Sequence, residues 1–362
     1  MGRDGFATYN TYTNQWGNFM KPRNISVSRV VLHIAAAGAV SACWLQPALA
    51  GQADPESAAR DNWRAVMQHN PASAAGCFHA SYPSFVWEEV ECKVAQPLVH
   101  PVHSERIGGA GEVTGNGKDY VAESAGLTSE ALGSFPTVTG VTSEKSKGVA
   151  AFGDGGILGK NEYSLQANTN YTGTTSACAG HSGCTVWQQF IYATDYLGKG
   201  EAAAFMQYWL IGWGSSACPG SFASDGGGDC YTNSKYVSVA DEPITDLAEL
   251  TLSGAAVAGG NDTVVFNNGT EAYSVSGHDS VLDIASVWQE TEFNIVGDAG
   301  GSRADFNTGA SVTVKLAITD GTTTKPKCVK NAGSTGETNN FDLGKCTAAA
   351  GSPPYIEFTE SN

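Results

Sequence analysis

Basic charge is scarce in this chain of 362 residues: 20 Lys and Arg stand against 36 Asp and Glu, a formal net charge of −16, and only 15% of residues are charged. A basic footprint able to neutralise phosphates is therefore missing, which argues against nucleic acid as a partner. No C-x-x-C couple and no His cluster at ligand spacing occurs, so the cysteines do not read as a zinc site, and no metal or cofactor is expected. No apolar run reaches the roughly 20 residues that a permanent membrane-spanning helix needs. Repeats of solenoid period and low-complexity tracts are also absent.

What is present is glycine, 44 residues of it, with Thr, Ser, Asn and aromatics in short alternating runs. That composition reads as all-β. Nine cysteines complete the pattern. Cys43 lies in an apolar N-terminal stretch, and the rest form close couples: Cys77/Cys92, Cys178/Cys184, Cys218/Cys230 and Cys328/Cys346. Sequence alone does not decide among the connectivities. Local pairing is nevertheless expected, because closing short loops costs little entropy. Such cysteine usage belongs to an exported, oxidised protein.

The segment 1–50 reads as an N-terminal extension and signal peptide. Lys21, Arg23 and Arg29 precede the apolar run Val30 to Val40, and Ala48-Leu49-Ala50 forms an A-x-A cleavage site. Removing it takes four basic residues and one acidic one, leaving 16 basic and 35 acidic groups. Val40-Ser41-Ala42-Cys43 also reads as a lipobox, which would anchor a lipoprotein to the cell envelope through Cys43. Secretion is the main expectation, as a monomer. Segment 51–118 reads as an arm, linker or propeptide, with an amphipathic helix over Pro55 to Gln68 followed by a Pro- and Gly-rich stretch. Residues 119–362 are expected to form the β-sandwich domain. Its ten strand-like segments are YSLQANTN, TVWQQFIYA, AAFMQYWLIGW, KYVSVA, LAELTLSGAAV, DTVVFNN, EAYSVSG, EFNIVGD, ASVTVKLAITD and YIEFTE. One helix, Asp279 to Gln289, interrupts them by its spacing of Val281, Ile284, Ala285 and Trp288.

Side chains alternate across a strand. In AFMQYWLIGW one face carries Phe205, Gln207, Trp209, Ile211 and Trp213, an unusual place for an amide. Gln166 and Asn168 share a face of YSLQANTN, and Glu292 and Asn294 share one of EFNIVGD. Gln188 and Gln189 necessarily point opposite ways. If Gln166, Asn168, Gln188, Gln207, Trp209, Glu292 and Asn294 converge on a concave sheet, amides beside aromatic platforms suit an extracellular polysaccharide or polypeptide. Trp209 and Phe205 would then stack on the ligand. The competing reading makes these the ordinary solvent-facing residues of an antiparallel sheet, in a purely structural cell-surface protein.

The succession YSLQANT, CTVWQQFIYA, AFMQYWLI and TEFNIVGD resembles the secreted glutamic peptidases, the eqolisins. That resemblance implies a concanavalin-A-like antiparallel β-sandwich with one or two short helices. It places the catalytic Gln at Gln188 and an acidic residue at Gln207. The catalytic Glu would fall at Val296, which cannot act as a base; in an acid endopeptidase Glu292, on the same strand face, would have to substitute. The chain is also similar to a group of secreted bacterial and fungal proteins that end in Phe358-Thr-Glu-Ser-Asn362, which brings no activity with it.

Three other motifs are weighed against function. Gly180-His181-Ser182-Gly183 lacks nucleophile-elbow spacing and reads as loop. Asp225-Gly-Gly-Gly-Asp229 lacks alternating calcium ligands and reads as a turn. Glu290 and Glu292 form an E-x-E that a glycosidase could use only if both shared a face.

Overall fold

A computed structural model of the chain describes residues 54–94, 113–150, 153–171, 173–214, 217–330 and 336–362. The expected signal segment, Cys43 and the histidines His100 and His103 lie outside the described residues. Two large antiparallel sheets pack face to face, giving the antiparallel β-sandwich expected from the sequence. The first has nine strands, in the order 88–90, 77–81, 271–278, 261–267, 251–256, 130–139, 311–319, 355–361 and 342–349. The second runs 223–224, 230–233, 202–211, 185–193, 163–168, 290–297, 121–123 and 327–329, with 235–239 pairing beside 202–211 and 93–94 beyond it. A small third sheet (338–339, 302–306, 144–148, 159–160) holds one parallel pairing, 302–306 with 338–339.

All ten strand-like segments form strands. The strand Glu130–Thr139 was hidden by Pro136, which cannot donate to a ladder. The register of its pairing shifts there, with Thr313 opposite Thr137 but Lys315 opposite Ser134. Two residues therefore face one, and the proline sits in a bulge. Segment 51–118 does more than lead into the body: Cys77–Ser81 pairs with the Glu271–His278 strand, and Lys93–Val94 pairs with Lys235–Val239.

The helix expected over Pro55 to Gln68 forms and spans Pro55–His69, with Asp54 capping Glu56 N. Trp63 and Met67 are buried against Ala80 and Ala272 on the outer face of the nine-stranded sheet. The expected helix at Asp279–Gln289 is instead two 3₁₀ turns, Asp279–Val281 and Ile284–Ser286. Asp283 between them has φ 55°, which breaks the α path. The Asp279 carboxylate takes the N–H groups of Gly259 and Ala285.

Between the sheets the core holds Phe135, Leu165, Phe190, Tyr192, Leu252, Phe266, Phe293, Val314 and Leu316. Its close packing has a sequence cause. A Cβ at Gly133 would lie 2.2 Å from the Phe293 ring, and one at Gly254 would lie 2.2 Å from the Phe190 ring. The four expected couples, Cys77–Cys92, Cys178–Cys184, Cys218–Cys230 and Cys328–Cys346, are all disulfides, with Cα separations of 5.3, 5.5, 5.6 and 6.2 Å. No helix among the described residues is long and apolar enough to cross a membrane. The four disulfides are consistent with an extracellular protein.

Candidate functional site

The register of the ten-stranded sheet decides which polar residues meet. Gln207 is opposite Asn233 on one side and Gln189 on the other; Gln189 is opposite Asn168, and Asn168 is opposite Glu292. Five neighbouring strands thus carry one polar row, Asn233–Gln207–Gln189–Asn168–Glu292, on the face turned away from the other sheet. Trp209 and Trp187 are paired one step along the same face, and Gln166 lies opposite Ile191 and Asn294.

Gln188 does not belong to this row. It pairs with Tyr208 and turns between the two sheets, where its Nε2 donates to Met206 Sδ at 3.8 Å. It also faces Asp262, whose carboxyl burial pushes up to about 8. The resemblance therefore selected the wrong one of two adjacent glutamines for a site on this face. Both faces of TVWQQFIYA are apolar apart from their glutamine, so alternation alone does not say which is inward.

The row is a continuous hydrogen-bonded ladder. Gln207 Nε2 donates to Asn233 Oδ1 at 2.8 Å, and Trp209 Nε1 is shared between Gln207 Oε1 at 2.8 Å and Gln189 Oε1 at 3.0 Å. Gln189 Nε2 donates to Gln166 Oε1 at 2.9 Å, Gln166 Nε2 to Ser164 Oγ at 3.0 Å, and Asn168 Nδ2 to Glu292 Oε1 at 3.1 Å. Tyr171, Trp187, Trp209, Ile211 and Tyr231 form an aromatic wall beside it.

Phe205 points to the same face, but it packs on Tyr196 with ring centroids 4.4 Å apart. Asn294 bends its amide to the sheet edge, where Nδ2 donates to Lys118 O and to Glu360 Oε2, each at 3.2 Å. Val296 lies on the row's face opposite Ser164 and is buried.

The ordinary solvent-facing reading fails on exposure: Gln166 is 3%, Gln207 4% and Glu292 2% exposed. Part of the cover is the segment 113–119. Thr114 Oγ1 donates to Glu290 Oε2 at 2.9 Å, and the N–H of Gly115 is directed at the Glu292 carboxyl. Asp119 is fully buried beside Glu292 and accepts the Asn116 N–H on Oδ1 at 3.3 Å.

Burial, reinforced by the Asp119 charge, holds the Glu292 carboxyl well above the usual carboxylate range. Burial pushes Asp119 up to about 6. Asp119 was missed because it lies outside every periodic segment, next to Tyr120 where the strand signals begin.

Glu290 and Glu292 do share a strand face, but Glu290 is engaged with Thr114. His181 stacks on Trp213, with ring centroids 3.3 Å apart, and Asp225 Oδ1 takes the N–H groups of Gly227 and Asp229, so both motifs serve loop structure. Among the described residues, no group of three or more His, Cys, Asp or Glu is arranged to hold a metal. A cavity of about 350 Å³ opens at the Asn233 end of the row, lined among others by Gly76, Tyr208, Asn233, Lys235 and His278.

No protein-family model matches the chain, and no curated protein does. Among solved structures, it is similar to SCP-B, a member of the eqolisin family of peptidases, in a complex with the tripeptide Ala-Ile-His. The identity is 12%, 69% of this chain and 98% of that chain are covered, and the TM-score is 0.30. It is also similar to the kappa-carrageenase from Pseudoalteromonas carrageenovora in complex with an oligotetrasaccharide of kappa-carrageenan, at 6% identity, 66% coverage of each chain and a TM-score of 0.23. At these scores neither likeness bears on the chemistry.

Proposed function

We propose that this disulfide-braced β-sandwich binds an extended polypeptide across the polar row of its ten-stranded sheet. One observation carries the reading. Side chains of the site strand already engage main-chain groups of the chain's own segment 113–119: Asn294 donates to Lys118 O, and Glu292 faces the N–H of Gly115. Amides that both donate and accept, beside aromatic side chains, suit a peptide backbone.

The test is capture of an immobilised peptide library, alongside a glycan array, by the wild type and by Gln207→Leu. Peptide capture lost in the variant supports the reading. Capture of glycans alone, or peptide capture indifferent to Gln207, refutes it.

A second reading, acid cleavage of the bound polypeptide, is favoured by the contact between the Asp119 and Glu292 carboxyls. Paired carboxyls of perturbed acidity are the usual equipment for activating water. In that case Asp119, which ionises more readily than Glu292, is the base, Glu292 keeps the proton, and the nearby amide is Gln189 rather than Gln188. Casein cleavage between about pH 5 and 7 that disappears in Glu292→Gln would support it; cleavage indifferent to Glu292 would sink it.

A further inference from the structure

Residues 113–119 form no strand, yet Thr114 and Asp119 are fully buried and Asn116 is 9% exposed. Besides the contacts to Glu290, Glu292 and Asn294, Lys118 Nζ donates to Phe341 O at 2.9 Å and lies 3.5 Å from Asp342 Oδ1. Among the described residues, Asp119 Oδ2 and Glu292 Oε2 have no hydrogen-bond donor of good geometry, while the two carboxyls lie beside each other. A single shared proton satisfies both oxygens; two ionised carboxylates in that place would be buried, adjacent and unpaired.

The charged surroundings do not compensate. On the strand Glu290–Gly297 stand Glu290 and Glu292; Glu337 approaches from the 336–339 segment and Glu360 from the Tyr355–Ser361 strand. The Tyr163–Asn168 strand offers the uncharged Asn168, and Val121 follows from the strand after the segment. Against these carboxyls stands Lys118, itself shared with Asp342.

We infer that residues 113–119 are a cover released by deprotonation: held on the polar row while Asp119 and Glu292 share a proton, and lifted off, opening the row, once both are ionised. The sign follows from a raised acidity constant in the covered state. Stabilisation of the cover is complete below the ordinary Asp range, begins to fall as Asp119 ionises near 6, and is gone once Glu292, held higher, loses the shared proton as well. A two-unit rise for Asp119 corresponds to roughly a hundredfold fall in the covered-to-open ratio between acid and alkaline pH. Glu292 adds to it at higher pH. What enters the opened row rests on the polypeptide reading above; the opening itself does not.

The experiment is hydrogen–deuterium exchange of the full chain at pH 4 and pH 8, corrected for intrinsic exchange. Peptides over 113–120 are compared with the Thr185–Ala193 strand. Protection over 113–120 falling at least about tenfold while the strand keeps its own supports the inference. Unchanged protection over 113–120, or a parallel loss in both, overturns it.

In Glu292→Gln the side-chain amide bonds Asp119 without adding charge, so the cover should stay protected at pH 8; release equal to wild type refutes the carboxyl pair as its cause. Should that variant not fold, the wild-type comparison decides alone. A random peptide pool added at pH 8 separates the two readings. Opening without peptide capture supports the cover and removes the polypeptide reading, and capture with the cover still protected overturns the cover.

Discussion

Glu144 offers a test of the physics that governs this protein's polar interior. It opens the short strand Glu144–Gly148, is 1% exposed, and among the described residues neither carboxyl oxygen has a hydrogen-bond partner of good geometry. The carboxyls of Glu162 and Asp305 lie near it, and burial pushes Glu144 up to about 9. The folded protein therefore keeps this proton at pH 7, whereas the unfolded chain releases it near 4.5. Because the folded value is the higher one, the stabilisation is complete below the unfolded value and is lost as pH rises toward 9.

At pH 7 about 2.5 pH units separate the solution from the unfolded value, and at 1.36 kcal/mol per unit the cost is about 3 kcal/mol. Glu144→Gln cannot ionise in either state, and its amide can donate to Glu162. The variant should match wild type within about 1 kcal/mol at pH 4 and exceed it by about 3 kcal/mol at pH 7. Urea denaturation followed by tryptophan fluorescence at both pH values, with unchanged m, measures this. An equal difference at the two pH values, or a gain under about 1 kcal/mol at pH 7, would refute the linkage argument.

Other expectations follow from the same structure. Asp262 and Glu360, each buried and pushed up to about 8, should make Tm highest in mild acid and lower it steadily toward pH 9; a flat or rising Tm in a thermal scan contradicts this. Gly254→Ala puts a Cβ 2.2 Å from the Phe190 ring and should cost about 1–3 kcal/mol by urea denaturation, since overpacking forces the facing sheets apart. Gln189→Leu breaks the links to Gln166 and Trp209 and should abolish peptide capture, whereas Gln188→Leu, turned between the sheets, should leave capture intact; the reverse order would place the site on the wrong face.

Much of the scaffold was legible in the residues. Glycine-bounded alternation located ten strands, and the short spacings of the cysteines foretold all four disulfides, because local patterning and loop length are properties of contiguous sequence. Where the local signal was ambiguous, it misled. Pro136 masked a strand that survives by bulging, and Val281, Ile284, Ala285 and Trp288 mimicked a helix that Asp283 breaks.

The sequence by itself determined an all-β, disulfide-stapled chain with an amide-rich strand set. Tertiary structure alone decided which of Gln188 and Gln189 joins Gln207, since that depends on register with neighbours far along the chain. It also brought Asp119, from outside any periodic segment, against Glu292 more than 170 residues away, and set 113–119 over a face that alternation alone left open to solvent. Burial is a property of the assembled sheets and not of any segment, so the acidity of these carboxyls, and whatever the covered face does, arises only on folding.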